Sequence, residues 1–238
     1  MHMPEWYIVM VVLALLSAAG VLWRPLLFAT PFAGAAWGIP LVHAILGAAR
    51  ARFDVRSPTF GRRVLTAGLF LLQPLARLCG RIRFGLSPWR WRGNFGWTFP
   101  RRLRTAQWTD RWYSSDDRIR SIEIKIRRGA MFVTRGGDFD SWDLEVRGGL
   151  LGAARTVLAV EEQGGGCQMI RFKIWPRYSK TALALIVMFE VLAAAAILDR
   201  AHSVGAMLVS AGGVLLTRMI AEAGAATSAL RTAIGKAH

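Results

Sequence analysis

Long apolar runs occupy both ends of the chain, and short alternating runs occupy its middle. Residues 6–23 carry no charge between Glu5 and Arg24 and have a Trp at each end. Eighteen such residues are just enough to cross a hydrocarbon core, and the flanking aromatics fit its interfacial belt. Ser17-Ala18-Ala19 resembles a cleavage site, so a signal peptide is the rival reading, but a basic n-region is missing and a retained anchor is preferred. Residues 26–49 form a second run, interrupted by Pro31 and Pro40, which a membrane helix tolerates as kinks. Arg24-Pro25 alone separates the two, which predicts a tight helical hairpin.

Residues 64–79 have another character. Arg62, Thr66, Gln73, Arg77 and Arg81 recur at helical spacing and make a polar stripe broken at Phe70. A basic stripe opposite Leu and Phe predicts an amphipathic helix in the plane of the interface; a further span is the alternative. Residues 80–113 are rich in Arg and Trp, read here as snorkelling and interfacial side chains.

From 118 to 176 the period falls to two. Ile122, Ile124 and Ile126 alternate with Glu123, Lys125 and Arg127, which predicts a half-buried strand. Further strands are expected at 130–134, 142–146, 156–162 and 168–175, the last two joined by a hairpin over Gly164-Gly165-Gly166. Residues 181–198 and 204–220 are the last apolar runs and form a second hairpin. The expected fold is therefore an α+β membrane protein. It has two transmembrane helical hairpins, an interfacial amphipathic helix and a small antiparallel β domain. The segments are 1–49 (N-terminal hairpin), 50–113 (basic loop, amphipathic helix and Arg/Trp-rich stretch), 114–178 (β domain) and 179–238 (C-terminal hairpin and tail).

Charge adds an orientation. The chain holds 31 Lys+Arg against 15 Asp+Glu, a net +16, with the cations gathered between the apolar ends. Arg50, Arg52, Arg56, Arg62 and Arg63 follow the first hairpin directly. By the positive-inside rule that loop, both termini and the β domain are expected on the cytoplasmic side of the membrane. Membrane lipids are the expected partner of a basic middle flanked by apolar runs. Nucleic acid is the rival, and no RNA- or DNA-binding motif accompanies the charge.

Candidate chemistry is sparse. Glu190 is a carboxylate near the middle of an apolar run, a costly placement that is often functional, and His43 is a conceivable partner. A hydrogen-bonded structural Glu is the plainer reading; a small transporter that uses Glu190 is a weaker functional one. Arg218 and Glu222, four apart, predict a helical salt bridge. Asp138-Phe139-Asp140, with Asp143, brings acids together as a divalent-metal site would, but follows Gly136-Gly137 and reads better as a turn. The glycine clusters precede no Lys-Ser/Thr, and no Ser-His-Asp set, H-E-x-x-H or nucleophile elbow occurs. The two cysteines, Cys79 and Cys167, form no metal motif; Cys79, in an apolar stretch, is expected to be a buried free thiol. No cofactor and no metal are expected.

Several stretches occur together and in order. Pro4-Glu5-Trp6-Tyr7 opens the first hairpin. Leu71-Leu72-Gln73-Pro74-Leu75-Ala76-Arg77-Leu78 leads into Gly80-Arg81-Ile82-Arg83 and Gly85-Leu86-Ser87-Pro88-Trp89-Arg90. Later come Trp142-Asp143-Leu144-Glu145-Val146-Arg147-Gly148-Gly149-Leu150-Leu151-Gly152 and Phe172-Lys173-Ile174-Trp175-Pro176-Arg177. Together they resemble the C-terminal membrane region of certain large bacterial family-2 glycosyltransferases, over most of the chain. In that family a separate upstream α/β domain binds the sugar nucleotide, and nothing here is long enough to be it. Processive members also carry Gln-x-x-Arg-Trp, whereas Gln107-Trp108-Thr109-Asp110-Arg111-Trp112 has one residue too many.

The resemblance implies a non-catalytic inner-membrane module supporting a glycosyltransferase, in cell-surface glycan or lipid-linked sugar synthesis. Its partner would be a catalytic subunit or upstream domain. Arg77, Arg81, Arg83 and Arg90 are the expected contacts to an anionic acceptor headgroup, since Arg binds phosphate bidentately. A scaffold or docking subunit of an unrelated membrane complex is the alternative.

Overall fold

The computed structural model describes residues 6–51, 59–84, 96–137, 139–164 and 166–235. The chain divides into two compact units, Met1–Ser87 with Ala194–Ala206, and Pro88–Ala193 with Met207–His238. Among the described residues, three helical segments are long and apolar enough to cross a membrane: Arg24–Arg50, Lys180–Leu198 and His202–Gly235. Their outer surfaces expose Phe28, Phe32, Trp37, Val187, Val191 and Val214, far more apolar surface than a soluble domain leaves uncovered.

The first unit opens with helix α1, Trp6–Ala19, followed by a 3-10 turn, Arg24–Phe28, and α2, Ala29–Arg50. At 14 residues, α1 is shorter than the predicted run. Its length of about 21 Å falls short of a hydrocarbon core of roughly 30 Å. The helix stops because the chain turns tightly at Gly20, where Leu27 leaves no room for a side chain. Trp23 is buried, and its indole N–H donates to Asp199 at 2.8 Å. Ala33, Ala36, Pro40, Ala44 and Ala48 are the buried residues of α2, a face of small side chains that permits close helix approach. Trp6 donates to the Ala36 carbonyl at 3.0 Å across this hairpin.

Helix α3, Thr59–Arg83, carries Pro74 internally. The Phe70 ring packs on Gly47 of α2, and the Tyr7 hydroxyl donates to the Leu71 carbonyl. This explains the break in the polar stripe, because Phe70 is where α3 touches α2. Leu65, Leu69 and Leu72 remain exposed.

The second unit is a five-stranded antiparallel sheet in the order β1-β5-β4-β3-β2. The strands are β1 Leu103–Thr109, β2 Phe132–Arg135, β3 Leu144–Arg147, β4 Gly152–Glu162 and β5 Gln168–Tyr178. The β4–β5 hairpin turns where predicted, with Gly164 and Gly166 at positive φ. Helix α4, Ser115–Arg128, α5, Lys180–Leu198, and α6, His202–Gly235, complete the fold.

The predicted strand around Ile122–Ile126 is instead part of α4. Ile119, Ile122 and Ile126 fall on one helical face and pack into the core, while Ile124 stays exposed. The Ser114 hydroxyl caps the helix by accepting from the Asp117 N–H at 3.1 Å. Asp116 and Asp117 lie at the positive end of the helix dipole, and Lys125, Arg127 and Arg128 at the negative end. Ser114→Ala is expected to destabilise this unit by about 1 kcal/mol, measured by urea unfolding.

Helix α6 has 34 residues and is about 51 Å long, well beyond one hydrocarbon core. Its last turns continue into the sheet core, where Ala226, Ala229, Leu230, Ala233 and Ile234 pack against Leu144, Val146, Ile170, Phe172 and Ile174. One helix thus supplies both an apolar span and the floor of the β domain.

Candidate functional site

Alternation along the strands sorts side chains between the core and an outer sheet face. Leu144, Val146, Ala154 and Ile174 go to the core. Glu145, Arg147, Arg155 and Arg177 go to the other side, as period-two geometry requires. There Glu145, only 2% exposed, accepts from Arg147 Nε at 3.1 Å, Arg155 Nε at 2.8 Å and Arg177 Nη1 at 2.5 Å. Burial pushes its carboxyl up, but the hydrogen bonds from Arg155, Arg177 and Arg147 and the charge of Arg177 outweigh it. The carboxyl is held below the ordinary glutamate range. Arg155 also lies over the Trp142 ring, 4.6 Å from its centroid, which fixes that guanidinium from a second side.

A second buried carboxylate lies on α6. Glu222, 1% exposed, accepts from the Leu151 N–H at 2.7 Å and the Gly152 N–H at 3.1 Å, and is paired with Arg218 Nε at 2.8 Å. The predicted Arg218–Glu222 bridge is therefore present, and Glu222 also anchors the β3–β4 turn to α6. The glycines of the Arg147–Gly152 stretch are there for space, since Gly148, Gly149 and Gly152 all press on Met219–Ala223.

A cavity of about 610 Å³ opens between β1, β5 and α4, lined among others by Gln107, Tyr113, Arg118, Ser121 and Lys125. Arg118 Nη2 donates to Gln168 Oε1 at 2.8 Å and to the Arg111 carbonyl at 3.2 Å, with its guanidinium 5.3 Å from the Tyr113 centroid. Burial lowers its pKa, and Tyr113 partly offsets this. These bonds hold the loop before α4 on the sheet, so Arg118 already has structural work.

The residues singled out from sequence are dispersed. Arg77, Arg81 and Arg83 are exposed on the last turns of α3; Arg90 lies outside the described residues. His43 lines a small cavity of about 130 Å³ with Tyr7, Pro40, Phe70 and Gln73 in the first unit. Glu190 is exposed on α5, its carboxylate against Gly212 of α6. Asp140 bonds within its own loop, and Asp143 ties that loop to β4. Asp140 accepts from the Gly137 N–H at 2.9 Å and Asp143 from the Leu158 N–H at 2.6 Å; Asp138 lies outside the described residues. Cys79 is exposed, not buried, because its position on α3 faces away from the side of the helix where Leu78 is buried.

No family model, curated protein or solved structure matches this chain. The functional reading therefore stands on its residues alone. Sequence reasoning missed Glu145 and its three arginines as a site, although Glu145 and Arg147 fall inside a motif it quoted. The signal was alternation, since an acid and an Arg at outward positions of one strand face the same side.

Proposed function

We propose that the chain is a non-catalytic membrane module that supports a family-2-type glycosyltransferase, anchoring it and holding an anionic lipid-linked acceptor. The observation that carries this reading is α3. Its exposed leucines, Leu65, Leu69 and Leu72, and its exposed Arg77, Arg81 and Arg83 suit a helix lying at a membrane surface, with cations at headgroup level. The glycan context rests only on the resemblance of the ordered motifs to the membrane region of those enzymes. In this reading α1 with α2, and α5 with α6, are the two membrane hairpins. In the same reading the basic residues after α2, by the positive-inside rule, favour the cytoplasmic side of a bacterial inner membrane for the β domain and both termini. The role is positioning rather than bond-making.

The double variant Arg77→Ala/Arg81→Ala is expected to reduce glycan output about tenfold while the protein stays in the membrane fraction, as losing two charge-assisted contacts would. Unchanged output at equal membrane abundance would sink the acceptor role.

Glu190 favours a second reading, a scaffold subunit of another membrane complex. Among the described residues it has no hydrogen-bond or ion-pair partner, and a bare carboxylate at mid-span costs on the order of 3 kcal/mol. A neighbouring helix from a partner would relieve that cost. Purification through a C-terminal tag in mild detergent separates the readings. A co-purifying sugar-nucleotide enzyme supports the first, and a partner unrelated to sugar transfer the second.

A further inference from the structure

The point where β5 passes into α5 holds more positive charge than its carboxylate can balance. Arg147 pairs with Ala153 across β3 and β4, and Ala153 with Arg177 across β4 and β5. The three form one row, whose outer members lie about 10 Å apart by strand spacing. Ala153 contributes only a methyl, so the row is a trough with a guanidinium on each wall. The 148–152 turn and Ser179–Lys180 close it into a cleft of about 410 Å³.

Glu145 sits beside this trough and fixes its walls. Three guanidiniums carry about fifteen N–H donors, and one carboxylate offers about four lone-pair positions. Each arginine reaches Glu145 through one nitrogen, and the Arg147 and Arg177 side chains remain 50% and 47% exposed. Lys180, exposed at the same rim, adds another cation. The Glu222 carboxylate does not compensate them, because it is spent on the Leu151 and Gly152 amides and on Arg218. The arginines are thus held in place by a buried acid, and Arg147 and Arg177 each keep N–H donors beyond the one spent on Glu145.

We propose that this cleft binds a phosphate monoester. Two guanidiniums flanking a small floor, that of Arg147 also lying 6.0 Å from the Phe132 ring centroid, with an ammonium at one end, match a tetrahedral anion with several oxygens better than a planar carboxylate. The apolar α5 starts at Lys180, and Leu150 is exposed on the adjoining turn. A lipid phosphate would find its headgroup and its tail accommodated together. The phosphate site stands on the second unit alone; its lipid source rests on the membrane reading of α5.

The test uses the full chain in neutral detergent, with thermal unfolding followed while phosphatidic acid, phosphatidylcholine or inorganic phosphate is titrated. Phosphatidic acid is expected to raise the unfolding temperature saturably, and phosphatidylcholine is not. Arg147→Gln/Lys180→Gln, both at exposed positions, is expected to weaken the apparent affinity about tenfold or more. Arg177→Lys, which keeps the charge and loses the fork, should also weaken it. Arg128→Gln on the exposed side of α4 should leave it unchanged. A saturable response to inorganic phosphate, lost in the same variants, would support the site and assign it to a soluble phosphate compound. Absence of any response in the wild-type chain, or equal responses in wild type and both cleft variants, would overturn the proposal. The readout is binding by the isolated chain, so it is independent of whether the chain serves glycan synthesis.

Discussion

Gly148→Ala is expected to destabilise the second unit by about 3 kcal/mol or more, at the upper end of what overpacking costs. A methyl built on Gly148 falls well inside contact distance of the Glu222 backbone carbonyl. Backbone in the middle of a helix cannot swing aside as a long side chain can. Nor can the turn lift away cheaply. Its Leu151 and Gly152 amides are held by the Glu222 carboxylate, and a Cβ on Gly152 would lie 2.5 Å from Ala223 N and Met219 O. Lifting the turn would break bonds to a buried charged acceptor, so clash and lost hydrogen bonds add. Gly213→Ala on the same helix meets no atom within 4 Å and serves as the control. Its expected effect is neutral or slightly stabilising, by up to about 1 kcal/mol of helix propensity. Thermal melts and protease resistance in detergent decide the matter. Similar melting temperatures for Gly148→Ala and wild type would mean that the turn does not sit on α6.

That turn also shows what the sequence could and could not deliver. The stretch from Trp142 to Gly152 was recognisable as a motif, yet the reason for its glycines lay seventy residues downstream, on α6. Spacing along the chain carries no trace of such a pairing. Strands β4 and β5 were legible because Gly-rich punctuation and strict alternation agree. Strand β1 was not, because Gln107 stands at an inward position where an apolar residue would mark the period; its amide instead donates to the Ile234 carbonyl at 3.4 Å. Helix α4 was misread because Ile122 and Ile126 satisfy both a period of two and a period of four. The deciding signals were Ser114 three residues before Asp117, and Ile119 one turn ahead of Ile122.

The candidate site was only half legible. Proximity to apolar runs marks Arg77, Arg81 and Arg83 in the sequence, whereas no such neighbour marks Arg147 and Arg155 of the sheet face. Arg155 and Arg177 are contributed by separate strands, and only the register that sets Glu145 opposite Arg155 and Ala153 opposite Arg177 unites them. Register is fixed by the buried face, so the core residues Leu144, Val146, Ala154 and Ile174 determine which charges meet on the other side.

Glu145→Ala is expected to cost about 3 kcal/mol at neutral pH, the lower end for removing one member of a buried ion pair. The lower end applies because Arg147 and Arg177 can still reach water, whereas Arg155 is only 22% exposed and stays pinned over Trp142. The loss has two sources. Three guanidiniums lose their common acceptor, and their mutual repulsion becomes uncompensated. The pH dependence identifies the carboxylate as the cause. Its folded pKa lies below the unfolded value, so its stabilising contribution is complete above the ordinary glutamate value of about 4.3. As pH falls through the folded pKa, the unfolded chain has already taken up its proton and the native state must follow, so that contribution disappears. Wild type should therefore lose stability along this acid limb, and the gap to Glu145→Ala should close. Glu145→Gln, isosteric and uncharged, should show the same flattened acid limb with a smaller loss at pH 7. Denaturant unfolding of the three proteins at pH 7 and along the acid limb reads both effects. A gap that stays constant across that range would show that Glu145 acts through packing alone and that its charge does not organise the arginines.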